Sequence, residues 1–154
     1  MKVAVCGLPR SGNRLLRDLL LHHGHDADVR HFGMSKAFRT GGDQEVAVWP
    51  IRAFGYWSRS IERDWDLLPK PHAMGQHYTE AAARELVRIH EERTFERVKA
   101  LGIGVLRVSY EAIVKDPDTW GPEIVGFVAP GSKWKGWPRE VFDGNEKWRG
   151  SRRS

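Results

Sequence analysis

Short runs of consecutive apolar residues recur along this chain and alternate with segments of helical periodicity. Residues 3–6, 45–51 and 103–108 are such largely apolar runs, interrupted only by Glu45, Gly104 and Arg107, and each has the length of a single strand. Strands that are buried on both faces of a parallel sheet are apolar throughout, without the alternation of half-exposed strands. The pattern therefore predicts a parallel sheet built from these three strands, and a further short strand is possible at 28–31.

The segments between these runs predict helices. Leucines at positions 15, 16, 19 and 20 repeat at helical spacing, Thr79 is a candidate N-cap, and Gly102 is suited to end a long helix. The predicted helices are 13–23, about 55–64, 79–101, a short one opening at 109–111, and one or two turns at 123–128. Strands alternating with helices indicate an α/β fold, a three-layer P-loop-type domain with a short parallel sheet flanked by helices.

Composition narrows the class of protein. The 154 residues are 40% hydrophobic and 29% charged, which suits one globular domain over 1–154, with an irregular tail at 130–154 that wraps around it. No apolar run reaches the length of about 20 residues that a membrane helix needs. The chain has a single cysteine and enters a strand directly without signal-peptide features, so we expect a cytoplasmic protein with no membrane partner.

The net charge of +5 favours anionic partners. Arginines that alternate with glutamates at 84–93 are interpreted as a solvated helix face, so they do not mark a binding surface. Trp134-Lys135-Gly136-Trp137 interleaves aromatic and cationic residues, which leaves nucleic acid as a possible partner, although packing of the two tryptophans is the simpler interpretation.

The loop that follows the first predicted strand is a candidate phosphate site. Its sequence, residues 7–16, stands between a strand and a helix, where converging backbone N–H groups and the helix N-terminus attract anions. Gly7 and Gly12 fit the spacing of a Walker loop, but Asn13 and Arg14 replace its lysine and its magnesium-binding hydroxyl. We therefore expect a loop that binds an anion without magnesium, the alternative being an ordinary glycine-rich turn.

This loop resembles that of the sulfotransferases that use 3′-phosphoadenosine 5′-phosphosulfate (PAPS). Their loop reads P-[KR]-S-G-T, and this chain has Pro9-Arg10-Ser11-Gly12-Asn13. The resemblance implies that the loop, with Arg14, binds the 5′-phosphosulfate of the donor. It further implies that Arg10 stabilises the bridging oxygen as the sulfuryl group leaves.

Three further segments resemble the same family. Arg52, at the end of a predicted strand, and Ser60 match the pair that binds the 3′-phosphate of the donor. Residues 106–117 resemble the strand and [RK]-Y-E-D-L-x-x-D-P stretch, which implies that Tyr110 lies near the adenine while Glu111 supports the turn. More weakly, 144–149 resemble the basic segment that closes over the donor, which would place Arg149 there.

Sulfuryl transfer needs an in-line acceptor, stabilisation of the leaving phosphate and a base, and it needs no metal. His31 is the candidate base, because it follows a short strand-like run and precedes Arg52 by a spacing similar to that of the family's catalytic histidine. His22, His23, His25, Asp28 or the absence of any base are the other options. The histidines at 22–25 lack the spacing of a zinc site.

The function expected from this reasoning is sulfotransfer from PAPS to a hydroxyl or amine of a small molecule or glycan. A non-catalytic nucleotide-binding or nucleic-acid-binding module and a degenerate P-loop kinase are the alternatives. The kinase would need a magnesium carboxylate at a strand end, but the predicted strands at 45–51 and 103–108 end in non-acidic residues. Acceptor identity and oligomeric state stay open at this level.

Overall fold

The computed structural model describes residues 1–32, 43–68, 70, 75 and 77–138, and a sheet of four parallel strands lies at its centre. The strands are β1 (Lys2–Val5), β2 (Asp26–Val29), β3 (Val46–Ile51) and β4 (Gly104–Ser109). Their order across the sheet is β2-β1-β3-β4, with parallel pairing throughout. The predicted parallel sheet is confirmed, and the short strand predicted at 28–31 starts earlier, at Asp26.

Helices connect and cover the strands. They are α1 (Asn13–His22), α2 (Phe54–Glu62), α3 (Glu80–Leu101), α4 (Tyr110–Lys115) and α5 (Pro117–Val128), with a 3₁₀ turn at Trp65–Leu67. As predicted, the Thr79 hydroxyl caps α3 by accepting the Ala82 N–H, and Gly102 ends that helix with φ of 66°. The prediction of only one or two turns at 123–128 is wrong, because the helix already begins at Pro117.

Each strand contributes side chains to both faces of the sheet. In β1, Val3 and Val5 pack with α1, α4 and α5, whereas Ala4 and Cys6 lie on the opposite face with Val98 of α3. The small side chain of Ala4 leaves room for α3 to approach. Helices therefore cover both faces and form the predicted three layers, which explains why the central strands β1 and β3 are apolar almost throughout, whereas the edge strand β2 alternates exposed aspartates with apolar residues.

The strand order reverses beside β1. From β1 the chain passes through α1 to β2 on one side, and then to β3 on the other side of β1. In open parallel sheets, ligands bind at such a switch point, in the crevice outside the carboxyl ends of the strands. The loop at 6–12 follows β1 and Arg52 follows β3, so both flank this crevice.

After α5 the described part of the tail, 129–138, has no helix or strand. Trp134 and Trp137 pack against Gly121 of α5. The rest of the predicted tail, including Arg149, lies outside the described residues. Among the described residues, no helix has both the length and the apolar character that crossing a membrane requires.

Candidate site at the switch point of the sheet

Two side chains hold the loop after β1 from within. The buried amide of Asn13 accepts the Gly7 N–H at 2.9 Å and donates to the carbonyls of Gly7 and Leu8 at 2.9 and 3.0 Å. The Ser11 hydroxyl and its backbone N–H both donate to the Leu8 carbonyl. These two predicted ligands therefore use their side chains to stabilise the loop, and backbone N–H groups are what the loop presents to an anion.

The N-terminus of α1 is left without a capping side chain. Gly12 occupies the N-cap position with φ of 101°, and the first turn contains no acidic residue. The first N–H groups of a helix have no acceptor within the helix, and together they carry a partial positive charge. The exposed Arg14 adds a full charge to this turn. The helix start is thus suited to an anion.

Arg10 lies on the exposed rim of the loop. Its backbone has φ of 67°, a left-handed conformation that is uncommon for a residue other than glycine. Its guanidinium pairs with the carboxylate of Asp64, just after α2, with a distance of 2.7 Å from Nη2 to Oδ2. Both side chains are partly exposed, so the ion pair can open at small cost. An anion bound within the loop would therefore compete with Asp64 for Arg10.

Arg52 joins the loop to the start of α4. Its Nη1 donates to the Arg10 carbonyl at 3.0 Å, and its guanidinium carbon lies 4.9 Å from the centre of the Tyr110 ring. The same ring covers Gly12, where an added Cβ would come within 2.6 Å of a ring carbon. Three separate segments that the resemblance to one family selected, the loop, Arg52 and Tyr110, therefore meet in one place.

Tyr110 is a buried phenol in this cluster. Burial raises the pKa of its hydroxyl, and the nearby Arg52 partly opposes this effect. The hydroxyl is therefore protonated and uncharged at neutral pH. The ring packs against Gly12 and the Arg52 guanidinium and is 8% exposed, so it forms an apolar wall of the cluster.

The remaining residues of the predicted donor site have different positions. Glu111 accepts the N–H of Ala53 at 2.8 Å and so supports the turn between β3 and α2, as expected. Pro9 is tied to α2 because its carbonyl accepts the indole N–H of Trp57 at 2.9 Å. Ser60 is half-buried on α2, and among the described residues no hydrogen bond joins it to Arg52. Pro9 is therefore held at the site by its contact with Trp57, whereas no hydrogen bond among the described residues connects Ser60 to Arg52.

His31, the candidate base, lies against the start of the loop. Its Nδ1 is 3.1 Å from the Gly7 carbonyl, which can only accept, so Nδ1 carries the proton and Nε2 is the proton-accepting nitrogen. Burial lowers the pKa of the imidazole, and the bond to Gly7 partly opposes this. The ring is therefore neutral at pH 7, the state that a general base requires.

The other candidate bases serve different contacts. His23 donates from Nδ1 to the Leu19 carbonyl at 3.0 Å, accepts the Lys135 N–H at Nε2, and stacks on Trp134. Asp28 pairs with Arg30, and His22 is exposed. In the described part of the chain there is no group of three or more His, Cys, Asp or Glu side chains placed to hold a metal ion.

A buried histidine that the sequence analysis missed lies beside the loop. His90 of α3 is 1% exposed, and burial, assisted by the neighbouring His31, lowers its pKa to about 3. It lines a small cavity together with Ser11, Arg52 and Arg107. The signal was available in the sequence, since the buried face of α3 is an apolar stripe interrupted only by His90 and Thr94.

Comparisons of the chain with protein-family models, with curated proteins and with solved structures found no match in any of the three. The resemblance to PAPS-dependent sulfotransferases therefore depends on the motifs described above and on the way the fold assembles them.

Proposed function

We propose that this protein binds PAPS at the switch point of its sheet and transfers the sulfuryl group to an acceptor hydroxyl or amine. The supporting observation is the cluster of the loop, Arg52 and Tyr110. Arg52 donates to the loop carbonyl of Arg10, and Tyr110 contacts both Arg52 and Gly12. Cations, uncapped helical N–H groups and an aromatic ring are the parts that a phosphorylated nucleoside would use.

In this proposal the residues have separate tasks. The loop N–H groups and Arg10 bind the phosphosulfate end, and Arg52 binds the second phosphate. As the acceptor oxygen or nitrogen bonds to sulfur, the bond from sulfur to the bridging oxygen breaks and its electron pair stays on the 5′-phosphate. Arg10 stabilises that charge, and the acceptor's proton passes to Nε2 of neutral His31.

The structure bears on the alternative functions too. A kinase-like loop would use position 13 for the γ-phosphate lysine, but Asn13 is bonded to the loop backbone. Trp134 and Trp137 lie half-buried against α5, so they do not form an open stacking platform for nucleic acid. The cytoplasmic location is part of this proposal and rests on the single cysteine, Cys6, which is buried as a thiol.

The test is calorimetric titration with 3′,5′-adenosine bisphosphate in the absence of magnesium. We expect binding at submillimolar ligand, with affinity falling at least about tenfold in Arg52→Ala because a charge-assisted contact to phosphate is lost. Arg88→Ala is the matched control, since Arg88 is an exposed arginine whose partners are Glu85 and Glu92. Wild type without binding, or equal loss in both variants, would contradict the proposal.

A further inference from the structure

The tail segment 129–138 contacts the rest of the protein through two tryptophans and a histidine. Gly121 of α5 has no side chain, and the space beside it is filled by the rings of Trp134 and Trp137, which an added Cβ would meet at 2.3 and 2.7 Å. The other face of this contact is α1, because the Trp134 ring stacks on His23 at the end of that helix, with 5.0 Å between the ring centres. His23 thus connects the tail segment to α1.

The hydrogen bonds of His23 define its protonation state. Nδ1 lies 3.0 Å from the Leu19 carbonyl, which can only accept, so Nδ1 carries a proton. Nε2 accepts the backbone N–H of Lys135 at 3.0 Å, so Nε2 carries none. The residue is 9% exposed, which limits the access of water to both contacts. With the tail segment in place, the imidazole is therefore neutral.

A proton on Nε2 would break the contact with the tail segment. A backbone N–H cannot become an acceptor, so protonated His23 and Lys135 would place two donors face to face. The indole of Trp134 would attract the imidazolium, and this attraction is similar in size to one hydrogen bond. Protonation, however, both breaks a hydrogen bond and leaves two buried donors without an acceptor. The balance therefore favours release of the tail segment.

The groups around His23 do not offset a positive charge on its ring. The titratable and charged groups on the neighbouring elements are Asp18 and His22 of α1, His25, Asp26, the amino terminus, Asp118 and Glu123 of α5, Lys133 and Lys135. Among the described residues, no ion pair joins a carboxylate to His23. The His22 ring lies 5.4 Å away. Burial, and then the amino terminus, His23 and Lys135, lower the pKa of His25. Acid therefore adds charge to a region that is already basic.

We propose that His23 is a pH-sensitive switch that holds the tail segment against α1 and α5 when neutral and releases it when protonated. Histidine is the side chain whose charge ordinarily changes between pH 5 and 8. The released form leaves the ring in water, free to take up a proton, so this form binds more protons and gains population as the pH falls. Release exposes the two indoles and the surface of α5 around Gly121.

The experiment measures hydrogen exchange of backbone N–H groups by NMR on the whole chain at pH 7.5 and pH 5.5, corrected for the intrinsic exchange rates. The Lys135 N–H reports release of the tail segment. The Cys6 N–H, which donates to the Val48 carbonyl at 3.0 Å in the sheet, reports unfolding of the whole protein. We expect Lys135 to be less protected than Cys6 and to lose about tenfold in protection at pH 5.5, because a solvated imidazole has a pKa of about 6.5.

The test variant is His23→Gln. A glutamine amide can donate to the Leu19 carbonyl and accept the Lys135 N–H, but it does not titrate, so the protection of Lys135 should no longer depend on pH. The control is His22→Gln, a change at the exposed neighbouring histidine of α1, which should keep the tenfold loss. A further measurement needs no variant, because ¹⁵N NMR of the wild-type ring at pH 7.5 should show a proton on Nδ1 and none on Nε2.

Four results would overturn the proposal. They are equal protection of Lys135 at both pH values in the wild type, a tenfold loss that persists in His23→Gln, a loss that disappears in His22→Gln, and a proton on Nε2 at pH 7.5. Equal protection of Lys135 and Cys6 would also overturn it, since the tail segment would then leave only when the whole protein unfolds. If His23→Gln removed the protection at both pH values, the wild-type ring would decide, and an unprotonated Nε2 together with the tenfold loss would uphold the switch.

Discussion

The crevice at the switch point and the side of the molecule where residues 129–138 pack against α5 (the tail side) contain similar residues that differ in their hydrogen bonding. On the tail side, both nitrogens of His23 are bonded, to the Leu19 carbonyl and the Lys135 N–H, and the Trp137 indole donates to the Pro117 carbonyl at 2.7 Å. In the crevice, Nδ1 of His90 and Nε of Arg52 are buried without a hydrogen-bond partner among the described residues.

This difference in hydrogen bonding distinguishes residues that stabilise the fold from residues that have polar atoms left for a ligand. A histidine whose nitrogens both have partners inside the protein stabilises the packing around it and has nothing left for a ligand. A buried polar atom without a partner costs free energy, and native proteins keep few of them. Nδ1 of His90 and Nε of Arg52 belong to residues that line one cavity, so a ligand there would complete their hydrogen bonding; His25 Nε2, close to the tail side, is also buried without a partner among the described residues.

The largest effect expected from this comparison is acid destabilisation through His90. Its folded-state pKa of about 3 lies below the ordinary value of 6.5, so the unfolded chain binds more protons between these values and stability falls as pH falls through that window. The slope approaches roughly 1.4 kcal/mol per pH unit. Urea unfolding at intervals from pH 7 to pH 4 measures it, and His90→Gln should flatten the curve. An unchanged slope in the variant would show that His90 is not the group responsible.

A smaller change in the free energy of unfolding is expected on the tail side, where the tryptophans pack against α5. A Cβ on Gly121 would meet the Trp134 ring at 2.3 Å, so Gly121→Ala should destabilise the protein by about 2 kcal/mol through overpacking. Gly126→Ala on the same helix meets nothing within 4 Å and should be neutral or slightly stabilising. Denaturant midpoints compare the two. If Gly121→Ala also abolished bisphosphate binding in folded protein, the two regions would not be independent.

Local sequence patterns predicted most of the fold. Three strands, β1, β3 and β4, together with α1 and α3, follow from apolar runs, leucine spacing and the caps at Thr79 and Gly102, all of which are short-range signals. The length of α5 was underestimated, because Pro117 and Pro122 are unfavourable for a helix. Yet a proline is tolerated in the first turn of a helix, and burial of Ile124, Val125 and Val128 stabilises the rest.

Only the parts of the candidate site that belong to a local sequence motif could be predicted from the sequence. The loop and Arg52 follow strands, so parallel pairing brings them to one edge, and this much follows from the sequence. Pairing alone could not show that Asn13 binds the loop itself or that Arg10 pairs with Asp64, since both depend on side-chain directions. The cavity could not be predicted, because its walls come from the loop, β3, α2, α3 and β4.

The smallest expected change in stability comes from the ion pair on the rim of the crevice. The Arg10 side chain is 57% exposed and that of Asp64 35%, so removing the pair should cost less than about 1 kcal/mol. Asp64→Asn nevertheless leaves Arg10 without a competing carboxylate. We therefore expect affinity for 3′,5′-adenosine bisphosphate to rise a few-fold in Asp64→Asn and to fall in Arg10→Ala, as measured by calorimetry.

Opposite effects on binding from two variants with equally small effects on stability would show that Asp64 competes with the ligand for Arg10. Salt provides the control, because screening weakens exposed charge pairs and should reduce the gain of Asp64→Asn at high ionic strength. If Asp64→Asn instead weakened binding as much as Arg10→Ala does, the carboxylate would be orienting Arg10 toward the ligand. The crevice would then resemble the tail side, with its charges already held in their working positions.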